Sequence, residues 1–132
     1  MGGVRVFLVE DMKPVRDVLM QLLASVGEFR VVGSAGTEAE ARFWLAEHPG
    51  DWDLAVIDLV LDQGSGMGAI PVAHQSAARH GGRIVVFSDY ASEGIRNHCL
   101  RLGADAVFLK SQTRDFMDYC SELGGIATAC AP

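Results

Sequence analysis

Five short apolar segments alternate along this chain with stretches that carry the residue spacing of amphipathic helices. The segments are VRVFLV (4–9), FRVVGSA (29–35), LAVID (54–58), RIVVFS (83–88) and AVFLK (106–110). Most of them lack the polar–apolar alternation of a strand with one exposed face, so we expect strands buried on both faces, as in a parallel sheet. Right-handed crossovers then place helices on both sides. The alternation predicts an α/β sandwich with a doubly wound, five-stranded parallel sheet.

Helical spacing and capping residues predict where the helices lie. They are expected over residues 14–26, 37–47, 67–79, 92–102 and 113–123. Thr37 and Ser92 are the expected N-caps of the second and fourth helices, because their hydroxyls can accept hydrogen bonds from free N–H groups of the first turn. The fifth helix is expected to stop at Gly124–Gly125, since glycine commonly ends helices.

Length and composition limit the class of protein. The 132 residues suit one domain, which we assign to residues 1–125, followed by a C-terminal tail over 126–132. A net charge of −6 with dispersed Lys and Arg argues against a nucleic-acid surface in this domain. The cysteines Cys99, Cys120 and Cys130 show neither metal-ligand spacing nor a disulfide pattern. With no signal-peptide pattern and no apolar run near the roughly 20 residues that span a bilayer, these features predict a cytoplasmic protein.

Polar side chains stand at the carboxyl end of four of the predicted strands. The first strand ends in Glu10–Asp11, the third in Asp58, the fourth in Ser88–Asp89 and the fifth in Lys110–Ser111. In a doubly wound sheet, ligands bind outside these strand ends, where the winding reverses. Each position alone is explained by the start of a loop, but their convergence on one crevice indicates a functional site.

The charges at this edge suit phosphoryl chemistry. At about 4 Å, each pair of carboxylates repels by roughly 4 kcal/mol at an effective dielectric near 20, so a cluster of three favours a divalent cation. A few oxygen ligands point to Mg²⁺ before Ca²⁺. Lys110 adds a positive charge and Ser88 a hydrogen bond, while Asp58 lies centrally and is the best-placed nucleophile for an aspartyl phosphate.

The order and spacing of these residues resemble those of receiver domains of two-component response regulators. The resemblance covers essentially the whole chain and rests on FLVED (7–11), LAVIDLVL (54–61), Gly66, VVFSD (85–89) and GADAVFLKS (103–111). It implies a flavodoxin-like fold in which Asp58 accepts the phosphoryl group, Ser88 is the switch hydroxyl and Lys110 binds the phosphate. The implied Mg²⁺ ligands are Asp11 directly, Glu10 through a water molecule, Asp58, and the backbone carbonyl of Val60.

The same resemblance implies the partners of the domain. The phosphoryl donor would be a sensor histidine kinase or a histidine phosphotransfer protein. Phosphorylation would change the surface around the fourth helix and fifth strand and so signal to a downstream protein partner. The domain would be a switch rather than an enzyme, without a membrane contact, and a homodimer through the fourth helix, fifth strand and fifth helix is one arrangement that the family uses.

Four positions depart from the family pattern, namely Val107, Ser111, Asp62 in place of a loop proline and Asp89 in place of a small residue. Val107 stands where an aromatic residue usually accompanies the switch hydroxyl, and Phe108 is expected to point to the opposite face of the sheet. Two roles stay open for Tyr90: it substitutes for the missing aromatic residue, or, as we favour, it shields the site. Ser111 replaces the usual proline after Lys110, so that peptide bond is expected to be trans. We expect a phosphorylation-competent site with an atypical output surface.

Three other functions fit parts of the pattern. A small phosphohydrolase with an aspartate nucleophile could use Asp58 and Asp62, although the haloacid-dehalogenase-type pattern places its second acid where Val60 stands. A flavodoxin-like cofactor carrier is disfavoured because acids follow the first strand and would repel a phosphate. A phosphorylation-independent, receiver-like scaffold would keep the fold alone. The sequence leaves open whether the receiver stands alone or belongs to a longer protein.

Overall fold

Strands and helices alternate through residues 3–129, the part of the chain that this computed structural model describes. The strands are β1 (Val4–Val9), β2 (Phe29–Ala35), β3 (Leu54–Ile57), β4 (Arg83–Ser88) and β5 (Ala106–Leu109). The helices are α1 (Lys13–Val26), α2 (Glu38–Glu47), α3 (Ile70–His80), α4 (Glu93–Leu102) and α5 (Thr113–Ala129). Short 3-10 turns precede α3 at Gly66–Ala69 and α5 at Lys110–Gln112. The predicted order of elements is confirmed.

All strand pairs in the sheet are parallel, in the order β2-β1-β3-β4-β5. The winding therefore reverses between β1 and β3, whose last residues Val9 and Ile57 are paired. Glu10 and Asp58 follow these two residues directly. The predicted doubly wound α/β fold is confirmed, and its switch point lies between the first and third strands, where acids were expected.

Each face of the sheet carries its own apolar core. On one side, Leu19 and Leu23 of α1 pack with Phe116 and Cys120 of α5. On the other side, residues of α2, α3 and α4 pack together; they include Ala41, Leu45, Ile70, Ala73 and Cys99. β2 and β5 are the edge strands, and most of their residues are half-buried, so the expectation of burial on both faces holds for the central strands rather than for these two.

The fifth helix is longer than its glycines predicted. α5 continues through Gly124–Gly125 to Ala129, so the predicted end at residue 124 is wrong, while residues 130–132 of the predicted tail, with Cys130, lie outside the described part. Gly124 is buried, and a Cβ there would lie 3.2 Å from Cε1 of Phe29. The glycine thus serves close packing against the start of β2 rather than helix termination. No helix within residues 3–129, α5 included, is long and apolar enough to cross a membrane.

The predicted N-caps are confirmed. Thr37 accepts a hydrogen bond from the backbone N–H of Glu40, and Ser92 accepts one from Ile95. The third helix starts later than predicted because the chain first winds as a 3-10 turn, whose N-cap is Ser65. Every peptide bond between residues 3 and 129 is trans, as expected after Lys110.

Candidate functional site

The Lys110 amine joins the ends of three strands. Its Nζ donates to Oε1 of Glu10 at 2.8 Å and to Oδ2 of Asp58 at 2.9 Å. From the end of β4, the Ser88 hydroxyl donates to Oδ1 of Asp58 at 2.8 Å. The structure therefore brings together four of the predicted site residues, although Glu10 and Lys110 are 100 positions apart in the chain.

The Asp58 carboxylate is buried with a full set of partners. Asp58 is 6% exposed, and its neighbours Glu10 and Ser88 are buried as well. Besides the Ser88 hydroxyl, Oδ1 accepts the backbone N–H of Val60 at 3.1 Å, while Oδ2 accepts Lys110. A buried carboxylate costs several kcal/mol unless it is paired and hydrogen-bonded. These contacts explain how a charge can end an apolar strand.

Glu10 and Lys110 contact each other beside Asp58, and for each of them burial and the hydrogen bond to the other shift the pKa in opposite directions. Desolvation, together with the nearby charge of Asp58, raises the pKa of Glu10 to about 7, although the hydrogen bond from Lys110 favours its ionised form. Burial alone would lower the pKa of Lys110, but its hydrogen bonds to Glu10 and Asp58 raise it above its usual value. The amine is therefore a permanent positive charge between two acids.

Two contacts to Glu10 were not predicted from the sequence. The Arg16 guanidinium, one turn inside α1, donates to the backbone carbonyl of Glu10 at 2.8 Å. The backbone N–H of Met12 donates to Oε2 of Glu10 at 3.3 Å. They tie both the side chain and the backbone carbonyl of Glu10 to the start of α1. The sequence signal for Arg16 is weak, because an arginine on an amphipathic helix is ordinarily a solvent-facing residue.

Asp11 and Val60 lie on the outer side of the site. Oδ2 of Asp11 accepts the backbone N–H of Asp62 at 3.0 Å, and Val60 is half-exposed. Asp11 and Asp58 thus each bind the backbone of the loop after β3. Within residues 3–129, no three His, Cys, Asp or Glu side chains are arranged to hold a metal ion by themselves. Mg²⁺ commonly takes one or two carboxylates and keeps several waters, so Asp11, Asp58 and the Val60 carbonyl form a donor set that fits it.

The loop after β3 folds back on itself, and Gly66 allows this. Val60 and Ser65 form an antiparallel bridge, and the backbone N–H of Gly66 donates to the Leu59 carbonyl at 3.1 Å. A Cβ at Gly66 would collide with the backbone carbonyl oxygen of Asp58. Close approach of two backbones, which only a residue without a side chain permits, is therefore the reason for glycine at this position.

The departures from the family pattern lie around the same strand ends. Val107 is buried in the core on the α2, α3 and α4 side, whereas Phe108 packs on the opposite face against Phe116 and Tyr119, as predicted. The side chain of Tyr90 is largely open to solvent, and its backbone N–H donates to the Ser88 hydroxyl at 3.4 Å. No aromatic side chain therefore occupies position 107 beside the hydroxyl.

Comparison with known families identifies the class of protein in which this constellation lies. A family model described as the response regulator receiver domain matches residues 6–119. The chain belongs to this family. Receiver domains are signalling modules, so the arrangement of Asp58, Ser88 and Lys110 lies in a protein class that transmits signals rather than one defined by substrate turnover.

Relatives of this receiver include a longer protein and domains of similar length. It is 34% identical over 109 residues to the DNA-binding transcriptional activator DevR/DosR of Mycobacterium tuberculosis, a match covering 81% of this chain and 48% of that protein. The chain thus spans about half the length of this relative. The response regulator domain of Thermotoga maritima CheB superposes with a TM-score of 0.76 at 25% identity, covering 98% of this chain and 99% of that one. A CheY-like receiver domain protein from Methanospirillum hungatei JF-1 gives 0.75 at 26% identity, with the same coverages.

Proposed function

We propose that this receiver accepts a phosphoryl group on Asp58 from a histidine kinase or a histidine phosphotransfer protein in the cytoplasm. The observation that carries the proposal is the contact of one buried carboxylate with both a lysine amine and a serine hydroxyl at the switch point of the sheet. Attack by an Asp58 oxygen would form a P–O bond while the P–N bond of the donor phosphohistidine breaks. The donor imidazole keeps the electron pair of that bond.

Mg²⁺ is the cation that we propose for this step. Asp11, Asp58 and the Val60 carbonyl would hold it, with Glu10 acting through water. When bound, it neutralises charge on the phosphoryl oxygens and on the acids. Asp11 and Asp58 both hydrogen-bond to the loop that carries Val60, which supports this set of ligands.

Ser88 and Lys110 would bind the phosphoryl group after transfer. Both donate to Asp58 oxygens in the unmodified chain, so each has a hydrogen available for a phosphoryl oxygen at nearly the same place. Movement of the Ser88 hydroxyl toward the new oxygens would pull on the end of β4. Because Val107 lacks an aromatic ring, we propose that this movement alters the α4–β5–α5 surface without an aromatic flip.

The partners that we propose are proteins. The domain would pass its state to a downstream protein, or to a second copy through α4, β5 and α5. The relative from M. tuberculosis is named a DNA-binding activator. A net charge of −6 favours assigning DNA contacts, in any longer form of this protein, to regions other than this domain.

The proposal is tested by labelling with acetyl phosphate, and separately with a phosphorylated histidine kinase, in Mg²⁺ and in EDTA. We expect one phosphoryl group per chain by intact-mass spectrometry, none in EDTA, and none on Asp58→Asn. Asp89→Asn removes an exposed acid beside Ser88 and is the matched control, which should label like the wild type. Equal labelling of Asp58→Asn removes Asp58 from the role. A wild type that takes no phosphate from either donor favours the phosphorylation-independent scaffold instead.

A further inference from the structure

The loop after β3 contacts both acids on which the proposed function depends. Its residue Val60 donates a backbone N–H to Asp58 Oδ1 at 3.1 Å, and two residues later Asp62 donates to Asp11 Oδ2 at 3.0 Å. The same loop carries the Val60 carbonyl. Any displacement of the loop therefore moves the two carboxylates and this carbonyl relative to one another.

Glu38, in the first turn of α2, holds the tip of this loop from outside the site. Its backbone N–H donates to the Gln63 carbonyl at 3.1 Å, and its carboxylate Oε1 accepts the backbone N–H of Ser65 at 2.8 Å. The two contacts lie on either side of Gly64, where a φ of +80° lets the loop turn back. Arg42, one turn along α2, places its guanidinium 3.7 Å from the other oxygen of Glu38.

Two glycines make room for the Glu38 side chain. A Cβ added at Gly64 would lie 2.5 Å from the Cβ of Glu38. A Cβ added at Gly68 would collide with the Glu38 carboxylate, and its three nearest neighbours would all be atoms of that one side chain. The positive-φ turn at Gly64 and the missing side chain at Gly68 therefore both leave space for the Glu38 carboxylate, which reaches the loop from α2.

We infer that Glu38 is a positioning residue for the cation site. It fixes residues 63–65 and thereby holds in place the backbone of Val60 and Asp62, whose N–H groups donate to Asp58 and Asp11. The inference rests on the proposed function, since it concerns the Mg²⁺ that the acids would share. Glu38 acts through the loop backbone, and its carboxylate bonds to Ser65 rather than to an acid of the site.

The first experiment compares Mg²⁺ affinity by isothermal titration calorimetry in Glu38→Ala, Glu38→Gln and Glu40→Ala. Glu40 is the matched control: it lies in the same helical turn and accepts one backbone N–H, from Gly36 at 3.0 Å, but makes no hydrogen bond to the loop. We expect Glu38→Ala to weaken Mg²⁺ binding about tenfold, the lower end of what losing an outer partner of a metal site costs. Glu38→Gln keeps a carbonyl acceptor for Ser65 and should weaken binding about twofold. Glu40→Ala should change the affinity less than twofold, even though it loses stability.

The second experiment uses Gly68→Ala to displace the Glu38 side chain without removing it. Alone, this variant should weaken Mg²⁺ binding about as much as Glu38→Ala. Combined with Glu38→Ala it should add little, because the side chain that the new methyl group would meet is gone. This cycle separates positioning from a general loss of stability, which is measured in parallel by urea unfolding.

The outcomes distinguish a failure of the Glu38 inference from a failure of the proposed Mg²⁺ site. The inference is overturned if Glu38→Ala binds Mg²⁺ as tightly as Glu40→Ala, or if Glu38→Ala and Gly68→Ala weaken binding additively. A wild type that binds no Mg²⁺ refutes the proposed cation instead, and amide hydrogen exchange then tests Glu38 separately. Val60 and Asp62 should exchange several-fold faster in Glu38→Ala than in Glu40→Ala, and equal rates would reject the positioning role.

Discussion

Replacing Lys110 by methionine tests whether this amine is what makes two buried acids compatible with the fold. The change keeps a long apolar side chain but leaves Glu10 and Asp58 without the cation that lies 2.8 and 2.9 Å from their oxygens. At about 4 Å and an effective dielectric near 20, each opposite-charge contact is worth roughly 4 kcal/mol before desolvation. Removing one partner of a buried pair typically costs about 3–5 kcal/mol. We expect a loss of about 3 kcal/mol at pH 8 without Mg²⁺, since Glu10 can escape part of the penalty by taking up a proton.

The pH dependence of this loss follows from the pKa of Glu10. Burial raises that pKa to about 7 in the folded chain even with Lys110 present, whereas an unfolded glutamate titrates near 4.3. Without the amine, the folded-state pKa of Glu10 rises further. The folded variant then binds a proton that the unfolded chain releases, so its stability increases as the pH falls from above 7 toward about 4.5. Because Glu10 of the wild type also takes up a proton near pH 7, the cost of Lys110→Met changes only above about pH 7, by at most about 1.4 kcal/mol between pH 8 and pH 7. At pH 5 we therefore expect this cost to be about 2 kcal/mol.

The assay is urea unfolding in EDTA, followed by tryptophan fluorescence and by circular dichroism, with the m-value checked for each variant. Lys13→Met is the control, because Lys13 forms an exposed ion pair with Asp17 at 3.1 Å. Such a pair contributes about 0.5 kcal/mol or less. The double variant Glu10→Gln/Lys110→Met should recover about 1 kcal/mol at pH 8. A cost below 1 kcal/mol at pH 8, or one that is the same at pH 5, would refute the reasoning.

Two further changes probe other parts of the structure. Gly66→Ala should cost more than about 2 kcal/mol in unfolding free energy, because its Cβ would meet the Asp58 carbonyl, and it should also lower the rate of phosphorylation. Its control is Gly94→Ala, in an open position of α4, which should instead stabilise the fold by up to about 1 kcal/mol. Equal effects of the two substitutions on stability would contradict this expectation. Asp53→Asn tests the far end of the sheet: burial alone would raise the pKa of Asp53, but hydrogen bonds from the Arg5 side chain and backbone hold it below its usual value. The half-exposed Arg5–Asp53 pair should contribute about 1 kcal/mol to the unfolding free energy at pH 7. The difference in stability between Asp53→Asn and wild type should vanish as the pH falls below about 4, when first the unfolded and then the folded carboxyl take up protons. A difference that persists at pH 2.5 would contradict this prediction.

The strands and the rim of the site could be predicted because their signals are local. Runs of Val, Ile and Leu report burial in a parallel sheet, and all five strands were found where such runs occur. The same reasoning failed at the end of α5, where Gly124 serves a contact with Phe29 that no local pattern reveals. The hydrogen bond from Ser65 to Glu38 joins residues 27 positions apart and was likewise not predicted. A glutamate in the first turn of a helix is ordinarily explained by its favourable interaction with the helix dipole.

By itself, the sequence determined the alternation of strands and helices, the identity of the polar residues at the strand ends and the side of the sheet on which neighbours such as Val107 and Phe108 lie. These features follow from periodicity, which is a property of consecutive residues. The tertiary structure alone decided that Lys110 lies between Glu10 and Asp58, that Ser88 donates to the same carboxylate, and that Asp11 turns toward the loop at Asp62. Side-chain partners depend on the crossovers that bring distant strand ends to one edge, and on the cost of leaving a buried charge unpaired.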